Sequence, residues 1–141
     1  MNTVYSVDVR VVAPVNDTEV TDRVADAVTN VFPEAETESR PGEVVATAHS
    51  MEHFSELLHR QEILDTARRE FFDTLRGDTF SFALKKQAAF QEVINFSVGN
   101  PDELGDIEVR VTVTQPAPEE FVDHVAPPTE EGEPISEDFE K

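Results

Sequence analysis

Positive charge collects in one segment of this sequence, residues 60–89, and this segment has the clearest potential for chemistry. The whole chain has a formal net charge of -19, yet six of its eleven Lys and Arg residues fall here. Six cations and five carboxylates give the segment +1, so the rest of the chain carries -20. Guanidinium groups match the geometry of phosphate, and ammonium groups supply compact positive charge. The segment therefore predicts an anion-binding surface, built from Arg60, Arg68, Arg69, Arg76, Lys85 and Lys86.

Lys85, Lys86 and Gln87 are the strongest candidates for ligand contact within this segment. They lie where a predicted strand passes into a turn, so side chains and backbone N–H groups can both reach a ligand there. Lysine is scarce in the chain, and two lysines in a row therefore favour a function over a solvated face. Phosphate contacts of this kind supply most of the non-specific affinity for nucleic acid.

The arginines of the segment divide into two groups. Arg60 lies at a predicted break between two helices, where it is available to a ligand. Arg68, Arg69 and Arg76 follow on the second helix, where pairing with neighbouring carboxylates on a solvated face is the favoured alternative.

Aromatic residues offer a second way to hold nucleic acid, by stacking on bases. Phe80, Phe82 and Tyr5 could do this if they lie on an open sheet face. Their alternation with polar residues favours the alternative, in which they belong to the core.

One short run matches a metal-hydrolase pattern. His49, Glu52 and His53 give H-x-x-E-H, in which two histidines could bind zinc while the glutamate acts as base. The first histidine falls at a predicted strand-to-helix junction, and surface histidines are the favoured interpretation. The sequence has no Gly-rich phosphate loop, no G-x-S-x-G and no cysteine, so we expect neither catalysis nor a cofactor or metal.

Composition predicts a cytoplasmic protein. The 141 residues are enough for one domain with a core of its own. The N-terminus does not resemble a secretion signal, and no apolar run is long enough to cross a membrane. Carboxylates spread over the whole length are typical of adaptation to high salt, where a Debye length of ~3 Å at 1 M screens charge. The alternative is an ordinary acidic protein.

Hydrophobic periodicity predicts the elements that position these residues. Residues 3–12 and 106–114 alternate as strands, and residues 78–85 do so as well. Residues 37–48 indicate a hairpin around Pro41-Gly42, with its first strand at an edge. Two predicted helices cover residues 50–75, with a break near residues 59–61. A further helix is predicted over residues 16–31, with Asn16 and Glu19 as a capping box, and the type of the apolar run 90–98 stays open.

The order β-α-β-β-α-β-β predicts an α+β fold, a mainly antiparallel sheet with helices packed on one face. We expect this domain to span residues 1–115. Residues 116–141 contain several prolines and many carboxylates, which indicates a mostly disordered acidic tail in which residues 121–125 could dock locally.

Two runs resemble a known family. R-Q-E-I-L-D-T-A-R at residues 60–68 and K-Q-A-A at residues 86–89 resemble the archaeal proteins grouped as uncharacterised protein family 0201, described as predicted RNA-binding proteins and proposed exosome subunits. The resemblance covers roughly residues 3–114. Family members tend to have Asn before the lysine of the second run, where this chain has Lys85.

The resemblance implies a fold similar to ribosomal protein L-five, RNA as partner, and no reaction. Its motif matches are Arg60, Gln61, Arg68, Lys86 and Gln87. The leading hypothesis is a non-catalytic RNA-binding protein, an accessory subunit that meets other RNA-processing proteins. The alternatives are an assembly module without RNA contact, such as a homodimer joined through the sheet face or an edge strand, and the zinc hydrolase described above.

Overall fold

The first strand of the chain, β1 (Ser6–Pro14), lies at the centre of a five-stranded antiparallel sheet. The strands stand in the order β2-β3-β1-β5-β4, where β2 is Glu36–Arg40, β3 is Glu43–Ala48, β4 is Thr79–Lys85 and β5 is Asp106–Gln115. This is a computed structural model that describes residues 5–97, 105–130 and 133–134. Its helices are α1 (Thr21–Val31), α2 (Glu52–Arg60), α3 (Leu64–Thr74), the one-turn α4 (Lys86–Ala89) and α5 (Pro118–Val125), and two-residue strands, Thr129–Glu130 and Glu133–Pro134, pair beyond α5.

Side chains from alternate positions of the strands form the core together with the helices. Val7, Val9 and Val11 of β1 point inward, and the residues between them are exposed or half-buried. β3, β4 and β5 alternate in register with β1, so their inward residues join the same cluster as the helices. The α+β prediction, with helices on one face of an antiparallel sheet, is confirmed. No helix of the described residues covers the opposite sheet face.

The predicted hairpin is present as β2 and β3. Gly42 adopts φ 78° in the turn, a conformation that glycine reaches without strain. All five residues of β2 are exposed, and β2 is an edge strand, as expected.

The break between α2 and α3 lies at residues 61–63. Glu62 takes the left-handed conformation at φ 59°. The backbone N–H of Ile63 donates to Leu58 O at 3.1 Å, and that of Glu62 donates to His59 O at 3.2 Å. This pattern is a Schellman motif with glutamate in the position usually taken by glycine. It ends α2 and turns the chain into α3, which confirms the two-helix prediction.

Helix α1 begins later than predicted, at Thr21 instead of residue 16. The backbone N–H of Asn16 does donate to the Glu19 carboxylate, at 3.0 Å, as in a capping box. Glu19 N–H also donates to Asn16 O at 2.9 Å, so these residues close a separate turn before the helix.

The folded domain extends past residue 115, where we expected it to end. Phe121, Val122 and Val125 of α5 are buried in the core, and α5 packs against α2, α3 and β5. Of the tail that we predicted to be disordered, residues 116–130 and 133–134 are described and contain α5 and the two short strands. Residues 131–132 and 135–141 lie outside the described ranges, as does residue 98 at the end of the apolar run 90–98. The described part of that run, residues 90–97, is a loop that pairs with β4 through Phe96 and Leu84.

Candidate nucleic-acid interface

Lys86 does not offer its charge to a ligand. Its side chain is 1% exposed, and Nζ donates to Glu19 Oε1 at 2.8 Å and to Pro14 O at 2.5 Å. The ammonium group thus joins α4 to the turn after β1. Its burial removes Lys86 from the predicted contact surface and gives it a structural role.

The pKa of the Glu19 carboxyl is lowered in this ion pair. Burial raises the pKa of its carboxyl, but hydrogen bonds from Lys86 Nζ and from the backbone and side chain of Asn16, together with the charge of Lys86, outweigh burial and lower the pKa below its ordinary value. Glu19 is therefore held in its charged form, as the buried ammonium group requires.

The rest of the K-Q-A-A run docks against α1. Asn30 Nδ2 donates to Ala89 O at 3.0 Å and to Phe90 O at 3.3 Å, and so binds the carbonyl end of α4. Ala89 is fully buried. Gln87 is the exposed member of the run.

Gln61 also has a structural role. Its Nε2 donates to Glu92 O at 3.0 Å, and its Oε1 accepts the N–H of Ile94 at 2.9 Å. One amide side chain therefore fixes the loop after α4 against the end of α2.

The remaining predicted residues do not form one surface. Arg68 Nη1 donates to Asp123 at 2.6 Å and to Ala126 O at 3.2 Å, and its guanidinium lies 4.9 Å from the Phe72 ring centre. Arg60 is exposed and lines a groove on the helix side of the molecule with His59, His124 and the carboxylates Glu52 and Glu56. Lys85 is half-buried and stands opposite Asp106, on the open sheet face.

The aromatic side chains that could have stacked on bases belong to the interior. Phe80 is 1% exposed and Phe82 is 7% exposed, and both pack against Phe71. Tyr5 is half-buried and stacks on His124, with ring centres 4.1 Å apart. The core alternative is confirmed for the two phenylalanines.

The H-x-x-E-H residues take separate partners. His49 Nδ1 lies 3.1 Å from Asp8, His53 Nε2 lies 2.9 Å from Glu92, and His124 Nε2 lies 2.7 Å from Glu52. Among the described residues, no group of three or more His, Asp or Glu side chains could hold a metal ion. The arrangement gives the zinc-hydrolase hypothesis no support.

Two arginines outside the segment 60–89, which were not predicted as site residues, lie next to each other on the open sheet face. Arg10 of β1 is the register partner of Arg110 of β5. Thr47 of β3 stands on the other side of Arg10, and Ser81 of β4 stands on the other side of Arg110. All four side chains are exposed. They form one row of guanidinium and hydroxyl groups across β3, β1, β5 and β4, and Glu36 of β2, the register partner of Thr47, ends the row at the sheet edge.

This row crosses an open groove with a volume of about 1090 Å³. Arg76, at the start of the hairpin into β4, adds a third guanidinium to the lining. Three carboxylates also line it, so the formal charge of the groove is zero in a chain of -19. One of them, Asp106, accepts a hydrogen bond from Ser97 Oγ at 2.6 Å. The others are Glu70 and Glu108.

The sequence contained half of the signal for this row. Alternation in β1 and β5 places Arg10 and Arg110 on the outward faces of their strands. The tertiary fold decides which strands are neighbours and in which register they pair. The sequence alone therefore does not show that these two residues, which are far apart along the chain, are neighbours in the sheet.

Comparison with known proteins gives this fold and groove a family. A family model described as RNA binding matches residues 8–114. The UPF0200/UPF0201 protein of Archaeoglobus fulgidus is 38% identical over 133 residues, which are 94% of this chain and 41% of that protein. A UPF0201 protein of Saccharolobus islandicus is 32% identical over 92% of this chain and 93% of its own length. The chain belongs to the UPF0201 family.

Solved UPF0201 structures share the fold described above. The UPF0201 protein of Methanococcus jannaschii superposes with a TM-score of 0.85 at 30% identity, over 92% of this chain and 99% of that one. A second UPF0201 crystal structure gives 0.81 at 36% identity, over 91% and 99%. The chain spans less than half of the length of the Archaeoglobus relative. Within the described ranges, no helix is long and apolar enough to cross a membrane.

Proposed function

We propose that this UPF0201 chain binds RNA without catalysing a reaction, and that the open face of its sheet is the contact surface. The family model supports the ligand class. The observation that carries the choice of surface is the juxtaposition of Arg10 and Arg110 on a face that no described helix covers. Clustered guanidinium groups are the electrostatic footprint of a nucleic-acid site.

Two of the residues predicted from the sequence extend this surface. Lys85 lies on the same sheet face, at the end of β4, and Gln87 is exposed two residues further on, in α4. Arg60 and Arg68 lie in the helix layer, where Arg68 is engaged with Asp123. We therefore assign Lys85 and Gln87 to the rim of the RNA surface and treat Arg60 as a separate prediction.

High salt is the condition in which we expect this surface to work. Counterion release gains little there, so binding has to rest on directed hydrogen bonds. Guanidinium and hydroxyl groups fixed on a rigid sheet supply such bonds, whereas flexible lysines supply mainly charge.

The test is RNA affinity in two triple variants with equal charge. Arg10→Gln/Arg76→Gln/Arg110→Gln removes the groove arginines, and Arg23→Gln/Arg40→Gln/Arg69→Gln removes three arginines outside the groove. Fluorescence anisotropy with a labelled RNA oligonucleotide, from low to molar salt, should show a loss of roughly 100-fold or more for the first variant and a much smaller loss for the second. Wild-type protein that fails to bind any RNA, or equal losses in both variants, would contradict the proposal.

A second candidate function, assembly with other proteins of RNA processing or with a second copy of the chain, is favoured by strand β2. All five of its residues are exposed at the sheet edge, which is a template for strand addition. Sedimentation of the wild-type protein and of a Thr37→Pro variant distinguishes this case, since proline blocks strand addition at the edge. A monomer in both would remove the homodimer, and capture of RNA without protein partners would remove the wider assembly role.

A further inference from the structure

The pairing of Arg10 with Arg110 is costly for the protein alone. Directly opposed residues in antiparallel strands have Cβ atoms about 4.5–5.5 Å apart, and like charges in such positions are destabilising. Both side chains are exposed. The chain has only eight arginines but 30 carboxylates, so an Arg–Asp or Arg–Glu pair would be far more common by chance than two opposed arginines.

Neighbouring carboxylates leave this charge uncompensated. Asp8 lies diagonally across from Arg110 and is engaged with His49 at 3.1 Å. Glu108 lies diagonally across from Arg10, opposite Val12. Within the described ranges, neither guanidinium has a carboxylate oxygen within 4.0 Å. An anion from outside the protein would complete the pair.

The chemistry of the row selects the kind of anion. Two adjacent guanidiniums present planar sets of N–H donors, which match the tetrahedral oxygens of phosphate. The hydroxyls of Thr47 and Ser81 extend the donors on both sides. The aromatic residues of β4 point into the core, so this face offers bases no ring to stack on among the described residues.

We infer that Arg10 and Arg110 together hold one backbone phosphate of RNA, and that this contact is independent of base sequence. The RNA part rests on the proposed function, whereas the phosphate clamp stands on the geometry of the sheet. The two arginines act as one site, because they stand directly opposite each other on neighbouring strands and on the same sheet face.

Thermal unfolding tests the clamp without RNA. In chloride buffer, Arg10→Gln and Arg110→Gln should each raise the unfolding midpoint by about 1–3 °C, since each relieves the like-charge pair. In pyrophosphate at the same ionic strength, the wild type should gain stability and both variants should lose that gain. Arg69→Gln, an exposed arginine of α3, is the matched control and should retain it. Lower midpoints in chloride, or an undiminished pyrophosphate gain in the variants, would overturn the clamp.

RNA affinity tests the assignment of the phosphate. Each single variant should bind U12 and A12 oligonucleotides roughly tenfold more weakly, by the same factor for both sequences. The double variant should be little worse than either single one, because both arginines hold the same phosphate. Additive losses, or a loss confined to one sequence, would overturn the shared contact.

Failures of the two proposals are distinguishable. Wild type that gains stability from pyrophosphate but binds neither oligonucleotide would overturn RNA as the ligand and leave the clamp standing. RNA binding that both variants retain in full would overturn the clamp and the choice of the sheet face as contact surface, and would leave RNA standing as the ligand.

Discussion

Residues 60–89 and the open sheet face use positive charge in opposite ways. The segment holds most of the cations in the sequence, yet Lys86 is buried against Glu19 and Arg68 is paired with Asp123. The sheet face draws on arginines from opposite ends of the chain, and Arg10 and Arg110 meet there by strand pairing. Two of the segment's cations, Lys86 and Arg68, therefore hold the fold together. Arg10 and Arg110, which are far apart in the sequence, are neighbours in space.

The same contrast explains what the resemblance runs do physically. R-Q-E-I-L-D-T-A-R contains the Gln61 amide that fixes the loop at residues 92–94 and the Glu62 backbone that ends α2. K-Q-A-A contains the lysine that reaches back to the turn after β1. The two runs stabilise the fold, and the fold brings Arg10 and Arg110 together on the open sheet face. Variants in both regions test this difference in role.

The largest expected effect is the loss of the buried ammonium group. Lys86→Met leaves the Glu19 carboxylate buried without its partner, which should reduce the free energy of unfolding by about 3–5 kcal/mol in urea titrations. The double variant Glu19→Gln/Lys86→Met should recover much of this, since no lone charge remains. Lys85→Met, one residue earlier, is the control and should cost less than about 1 kcal/mol. A loss of less than about 1 kcal/mol for Lys86→Met would contradict the structural role of Lys86 and would again favour it as a ligand contact.

The same pair predicts a pH dependence. The pKa of Glu19 is lower in the folded protein than its ordinary value of 4.5, so its stabilising contribution is complete above that pH and is lost as the pH falls through the lowered pKa. The difference in unfolding free energy between wild type and Glu19→Gln should therefore shrink below pH 4.5. In the Lys86→Met background this pH dependence should be weaker. A constant difference down to pH 3 would argue against the charged pair.

Gln61→Ala should have an intermediate effect. It leaves the Ile94 N–H and the Glu92 carbonyl without their side-chain partner, at a cost of about 1–3 kcal/mol. Gln87→Ala removes an exposed glutamine and should change stability by less than about 0.5 kcal/mol. Equal changes in the free energy of unfolding for the two variants would show that the Gln61 hydrogen bonds do not stabilise the fold.

Glu62→Gly should stabilise the protein. The left-handed conformation costs roughly 1–2 kcal/mol for a residue with a side chain, and glycine avoids that strain. We expect a gain of about 1 kcal/mol in the free energy of unfolding. Glu70→Gly, within α3, should instead reduce the free energy of unfolding by about 1 kcal/mol. Urea titrations that show a gain for Glu62→Gly and a loss for Glu70→Gly would confirm that Glu62 ends α2.

The smallest expected effects separate the two faces of the molecule in RNA binding. Lys85→Gln, at the rim of the sheet face, should weaken RNA binding by about threefold, while Arg60→Gln, in the helix layer, should change it by less than about twofold. Anisotropy titrations at one salt concentration are sufficient. A larger loss for Arg60→Gln would place the RNA surface on the helix side.

Local pattern predicted much of this fold. Alternation identified β1, β4 and β5, the Pro41-Gly42 turn identified the hairpin, and the shift in helical phase identified the break before α3. It failed at the start of α1: Asn16 and Glu19 form the hydrogen bond of a capping box, but they close a separate turn, and the helix begins only at Thr21. At α5 it was right in part: residues 121–125 were expected to dock locally and do so, but the acidic, proline-containing composition around them led us to end the domain at residue 115.

The candidate site was predicted less well, for a related reason. Sequence identifies which residues face outward on a strand, and it did so for Arg10 and Arg110. It does not give strand order, and the order β3-β1-β5-β4 is what places Thr47, both arginines and Ser81 in one row.

The central position of β1 has a consequence for synthesis of the protein on the ribosome. β1 emerges well before β5, and its second edge is hydrogen-bonded only after β5 has been made. Pairings between such distant parts of a chain form slowly, because a long loop must close first. The row of Arg10 and Arg110 that we assign to RNA therefore cannot form before β5 has been synthesised. We expect a chain that ends before β5 to lack this contact surface.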